Sequence, residues 1–170
     1  MLFLVGAVTL AAGIVGLPAQ SSTLPPSPAT VLDLRVTRDN GSVVPLRDIV
    51  RDVPAIVAFW ASYCPPCRAE VPALNQAAAR WRSRGVRVVG VALETDGDRV
   101  RAARRSWGIR YDVLRVAPGQ DDLLERLFPH GLPATAFVAR GEATLHEHVV
   151  DTAELDRRVS ALLEPAPLPR

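Results

Sequence analysis

Cys64 and Cys67 are the only two cysteines among 170 residues, and the chemistry open to the chain starts with them. The apolar run Ala55-Ile56-Val57-Ala58-Phe59-Trp60 reads as a buried strand, and a short polar turn then delivers Cys64 where a helix should begin. The first turn of a helix carries unpaired backbone N–H groups and the positive end of the helix dipole, so a sulfur held there is stabilised as thiolate. Cys64 is therefore the expected attacking sulfur. Cys67, one turn on, is placed to lie deeper and to displace a partner from a mixed disulfide on Cys64. Pro65 and Pro66 suit a helix start, where a missing N–H costs little and a fixed φ fits the first turn. They also remove donors from around the Cys64 sulfur, leaving the dipole and the Cys67 amide to hold the thiolate. Its pKa is then expected to fall less than in a strongly oxidising couple, which favours the reductant role.

The segment Phe59-Trp60-Ala61-Ser62-Tyr63-Cys64-Pro65-Pro66-Cys67-Arg68-Ala69-Glu70-Val71-Pro72 resembles the active site of the thioredoxin superfamily. Within it, Glu70 after the second cysteine, followed by Pro72, is similar to the membrane-tethered extracytoplasmic reductases of the TlpA/ResA type. Tyr63 stands where such members usually carry Trp and keeps an aromatic beside the nucleophile. Ala58 stands where cytoplasmic thioredoxins have a buried aspartate, so Glu70 becomes the candidate proton relay. A helix-surface glutamate complementing the first-turn dipole is the other reading of Glu70. The resemblance also makes Pro133, in Gly131-Leu132-Pro133-Ala134, a cis proline across from the cysteine pair. Trp60, Tyr63, Pro65, Pro66, Leu132 and Pro133 are then the expected substrate-binding residues, with an ordinary strand-entry proline as the alternative at 133.

The elements that must position this site are legible on both sides of it. Val31 to Val36 and Val43 to Leu46 flank Asp39-Asn40-Gly41-Ser42 and read as a hairpin, and Leu46 to Val53 as a short turn or helix. The active-site helix should run to about Ser83 with Pro72 kinking it, and Gly85 should end it before a second buried strand, Val86 to Leu93. Asp98 to Trp107 and Asp121 to Phe128 read as helices around an extended piece from Tyr111 to Val116, together resembling the central insertion of the TlpA/ResA branch. Arg99, Arg101, Arg104 and Arg105 either dock an acidic partner or form a solvated helix face. Ala134 to Val138, a final antiparallel strand from Ala143 to Val150, and a closing helix from Asp151 to Leu163 complete the pattern. His146 and His148 alternate on that final strand and so share one face.

Composition narrows the classes. A formal charge of +2, with all 20 basic residues Arg, and no basic stripe interleaved with aromatics give no footprint for nucleic acid. Cysteines this close cannot staple distant parts of a fold. Residues 1–19 form an apolar segment, either a signal peptide or a membrane anchor near the lower length limit for a span. Residues 20–29, rich in Ser and Pro, read as a flexible linker, 30–164 as one domain, and 165–170 as a disordered tail.

The expectation is a thioredoxin-like α/β fold, a central mixed β-sheet flanked by helices with an N-terminal hairpin and a central insertion. Its implied activity is dithiol–disulfide exchange at Cys64 and Cys67, most of all as a reductant of exported proteins such as apocytochrome c, in the periplasm or at the outer face of the cytoplasmic membrane. No metal or other cofactor beyond the redox-active cysteine pair is expected. The implied partners are disulfide-bearing exported proteins and a membrane-bound electron donor, with the chain itself a monomer. The rival class is a copper metallochaperone using Cys64, Cys67 and His130. The cysteine spacing and the paired prolines favour redox chemistry over it. A peroxidase would want a lone cysteine activated by neighbouring Thr and Arg, which this motif lacks.

Overall fold

The computed structural model describes residues 30–164, so the segments expected as anchor, linker and tail (1–19, 20–29 and 165–170) lie outside the described residues. The Asp33 carboxylate accepts the Thr30 N–H at 2.7 Å, and Val31–Asp33 winds into a 3-10 turn where the apolar pattern suggested the start of a strand. The hairpin itself is present: β1 (Arg35–Thr37) pairs antiparallel with β2 (Val43–Pro45), and Gly41 takes φ 82° in the turn between them. The expected short helix follows as α1 (Leu46–Val50).

β3 (Ala55–Trp60) is buried at every position. Ala55, Val57 and Phe59 enter one core, while Ile56, Ala58 and Trp60 enter the other, so this strand is apolar throughout because both of its faces are covered. α2 (Pro65–Trp81) begins on the two prolines and passes into a 3-10 turn, Arg82–Arg84, that Gly85 ends at φ 76°. β4 (Arg87–Ala92) lies parallel to β3 with Trp60 opposite Ala92. α3 (Gly97–Trp107) starts one residue before the expected Asp98, because the Asp96 side chain accepts the Asp98 and Arg99 amides at 3.0 and 3.1 Å. These amides hold the Asp96 carboxyl below its ordinary pKa.

β5 (Asp112–Val116) runs parallel to β4, α4 (Asp121–Leu127) follows, and β6 (Ala134–Ala139) returns antiparallel to β3. β7 (Glu142–His146) pairs antiparallel with β6, and α5 (Thr152–Leu163) closes the fold under an Asp151 cap. One mixed sheet results, ordered β2-β1-β5-β4-β3-β6-β7, with β3 and β4 at its centre. The final strand stops at His146, short of the expected Val150. The Val150 N–H is given to the Glu70 carboxylate at 2.8 Å and not to a neighbouring strand.

Close packing under the motif depends on Gly90 of β4. A Cβ there would stand 2.8 Å from Tyr111 Cε2 and 2.9 Å from Trp60 Nε1, so the aromatic rings occupy the space that a side chain would need. The arginine-rich helix is a paired face: Arg99 reaches Glu94 and Asp96, Arg101 reaches Asp98 at 2.6 Å, and Arg104 reaches Asp39 at 3.7 Å. Pairs this exposed contribute little to stability, and they occupy three of the four arginines that the sequence offered to an acidic partner. No helix among the described residues is long and apolar enough to cross a membrane.

Candidate active site: a cysteine pair at the mouth of a helix

Cys64 occupies the N-cap of α2, in an extended conformation with φ −104° and ψ 95°. Its Sγ accepts the Cys67 N–H at 3.3 Å, which puts the sulfur on an otherwise unpaired amide at the positive end of the helix. The turn that leads to it is closed by the Cys64 N–H on the Ala61 carbonyl at 3.0 Å. Cys64 and Cys67 are joined as a disulfide with Cα atoms 5.3 Å apart, and Cys64, 7% exposed, is the more accessible residue against 2% for Cys67. The helix geometry thus separates an outer from an inner sulfur.

Around the pair, Tyr63 is 71% exposed and Pro65 and Pro66 are exposed beside it. The Leu132–Pro133 peptide bond is cis. The β3–β6 register places Phe59 opposite Ala134, so Pro133 lies at the end of β3 from which the cysteine turn departs. Leu132 is half-buried and Pro133 buried there. An open groove of about 380 Å³ runs from Tyr63 past Glu94 and Arg99 to Gln120.

Trp60 corrects an expectation. It is buried, with its indole 5.1 Å from the ring of Trp107, and it supports the motif from the core instead of forming part of a substrate surface. The reason is strand parity: Trp60 shares a face with Ile56 and Ala58, and that face is covered by α2.

Glu70 lies one turn below Cys67 and is 3% exposed, which removes the helix-surface reading. Burial pushes its pKa up to about 7, against the Val150 N–H and the nearby His148 imidazole, which both pull it down. The group that sequence reasoning missed is Glu94, just beyond β4. Its carboxylate accepts the Ser62 N–H at 2.5 Å and the Ser62 hydroxyl at 2.8 Å, with the Arg99 guanidinium 4.0 Å away. This clamp fixes the turn immediately before Cys64. The signal available was positional: Glu94 follows an apolar strand at its carboxyl end, where parallel sheets carry their functional groups.

His130 does not approach the cysteines as a ligand. It is exposed, with Nε2 at 4.0 Å from Glu147, and among the described residues the donors that do come together are His146, His148 and Glu154. The Cys64, Cys67 and His130 set required by a copper chaperone is therefore not assembled. Burial and the neighbouring Arg158 and His148 charges lower the His146 pKa.

Comparison with known proteins agrees with this geometry. The AhpC/TSA family model matches residues 26–115. ResA, a thiol-disulfide oxidoreductase of Oceanobacillus iheyensis, is 28% identical over 109 residues, covering 64% of this chain and 55% of the relative. DsbE, a thiol:disulfide interchange protein of Tatumella citrea, is 35% identical over 132 residues, covering 76% of this chain and 68% of the relative. The Escherichia coli DsbE is 31% identical over 98 residues, covering 58% of this chain, and the chain spans about half the length of that relative, 50%. Among solved structures, a secreted Mycobacterium tuberculosis disulfide oxidoreductase homologous to E. coli DsbE superposes with TM-score 0.61 at 26% identity, over 77% of this chain and 97% of that one. A cysteine pair at the start of α2, a mixed sheet in this order and these relatives lead to one placement: the chain belongs to the thioredoxin-like AhpC/TSA family, with ResA and DsbE as its homologues.

Proposed function

We propose that the chain is an extracytoplasmic protein thiol-disulfide oxidoreductase, acting as a reductant of disulfides in exported proteins, apocytochrome c among them. The observation that carries this reading is the Cys64 sulfur at the N-cap of α2, on the Cys67 amide, beside exposed Tyr63, Pro65 and Pro66. In the reduced protein, the Cys64 thiolate attacks one sulfur of a substrate disulfide, and the other substrate sulfur leaves as a thiolate and takes a proton. Cys67 gives up its proton and attacks Cys64 Sγ, releasing the second substrate thiol and leaving the closed pair seen here. Glu70, buried below Cys67 with a pKa near the working range, is the proposed acceptor of that proton. Leu132 and Pro133 line the substrate side opposite the pair. A membrane-bound dithiol donor returns the two electrons. The names of ResA and DsbE, and the secreted character of one structural neighbour, support both the reaction class and the location.

The test is trapping. Cys64→Ser should abolish reduction of a model protein disulfide, and Cys67→Ser should accumulate mixed disulfides with exported proteins, seen on non-reducing gels. Turnover retained by Cys64→Ser would overturn the assignment. Equilibration with glutathione then fixes direction: a pair that stays oxidised while glutathione is largely reduced is a reductant.

A further inference from the structure

The segment that crosses beneath Glu70 carries donors that disulfide exchange does not use. His146 ends β7, His148 follows in the connection, and Glu154 lies in the first turn of α5; one ligand atom from each falls within 4.8 Å of the others. His148 Nε2 stands 3.2 Å from both Glu154 oxygens, and the two imidazoles meet edge to face at 5.7 Å. Independently, His146 Nε2 is buried without a hydrogen-bond partner, although its ring also packs edge-on against Phe137. A buried ring nitrogen without a partner is costly unless something else takes it up. We infer that His146, His148 and Glu154 form a binding site for a divalent transition-metal cation of the zinc class, with solvent completing the shell.

The donor set selects the class. Two imidazoles and one carboxylate suit Zn²⁺ and its neighbours, whereas Ca²⁺ and Mg²⁺ ask for oxygen shells and Cu(I) for thiolate or thioether. Ligand bonds of about 2.0–2.2 Å bring tetrahedral donors to within roughly 3.5 Å of one another. Side-chain rotation on binding would have to close the remaining gap from 4.8 Å. The competing cation is Arg158, whose Nε donates to Glu154 Oε1 at 2.9 Å and whose guanidinium also lies over Phe137, 5.3 Å from the ring centroid. An ion would displace it from one oxygen and leave it the aromatic face. The carboxylate is otherwise well placed, because Asp151 fixes the Glu154 backbone N–H at 2.8 Å. Val150, which donates to Glu70, lies between the ligands in sequence, so an ion here would fix the segment that presents that amide.

Calorimetric titration of the full chain with ZnCl₂ tests this, with the Cys64–Cys67 disulfide closed so that no thiol competes. One ion should bind per chain. His146→Gln and His148→Ala should each weaken binding tenfold or more, while His130→Gln leaves it unchanged, and circular dichroism verifies that the metal-free variants are folded. The wild type should melt higher with Zn²⁺, and the His146→Gln/His148→Ala double variant should not. Absence of saturable heat, undiminished affinity in the double variant, or binding that appears only after the cysteine pair is reduced would each overturn the site.

Discussion

Two carboxylates flank the cysteine pair, and they are kept in opposite circumstances. Glu94, above the turn, has the Ser62 amide, the Ser62 hydroxyl and the Arg99 guanidinium to solvate its charge. Glu70, below the pair, is buried with a single direct donor, the Val150 amide, and only the His148 imidazole as a nearby charge. A carboxylate with several donors is a fastener, since its charge is matched by groups that it holds in place. A carboxylate with one donor is left poised between charged and neutral forms, which suits it to take up and release a proton. In the proposed mechanism the same residue type therefore serves shape on one side of the sulfurs and protonation on the other.

The largest expected effect concerns Glu70. Its folded pKa of about 7 lies above the ordinary 4.5, so between those values the native state binds more protons than the unfolded chain, and stability falls as pH rises through that window. At about 1.4 kcal/mol per pH unit the loss is on the order of 3 kcal/mol. Urea unfolding of the oxidised protein across this range should show the decline, and Glu70→Gln, whose amide oxygen still accepts from Val150, should remove it. A wild type whose stability rises from pH 4.5 to 7 by the amount that Glu70→Gln loses would reverse the assignment of roles. Next comes Glu94→Ala, expected to cost about 2 kcal/mol by leaving the Ser62 donors without their charged acceptor. It should also slow disulfide reduction, because the turn carrying Cys64 loses its clamp, yet leave the pH slope from Glu70 intact. The smallest effect is Ser62→Ala, about 1 kcal/mol. In a double-mutant cycle Ser62 and Glu94 should couple, whereas Ser62 and Glu70 should add independently.

The sequence made much of this site legible, for local reasons. A six-residue apolar run, a polar turn and two prolines are short-range signals, and β3, the N-cap position of Cys64 and the start of α2 follow from them. The hairpin, the second buried strand and the helix at Asp121 are local in the same sense. What escaped was relational. Glu94 meets Ser62 only because the parallel register sets Trp60 opposite Ala92, and continuing that register by two residues brings the two together. Trp60 looked like part of a rim from its place in the motif, but parity along β3 turned it inward onto Trp107. The last strand ends at His146, level with the start of β6, and the Val150 amide beyond it is taken by a carboxylate 80 positions upstream. Depth of burial, which separates the two readings of Glu70, is likewise a property of packed layers and not of spacing.

The Val150-to-Glu70 bond has one more implication, for how this protein can change over time. Its donor is main chain, so the tie between the closing segment and the floor of the cysteine pair survives any exchange of the buried Val150 side chain that keeps the core filled. Proline is the one replacement that deletes it. Homologues that exchange this buried side chain for another apolar one should therefore still avoid that imino acid.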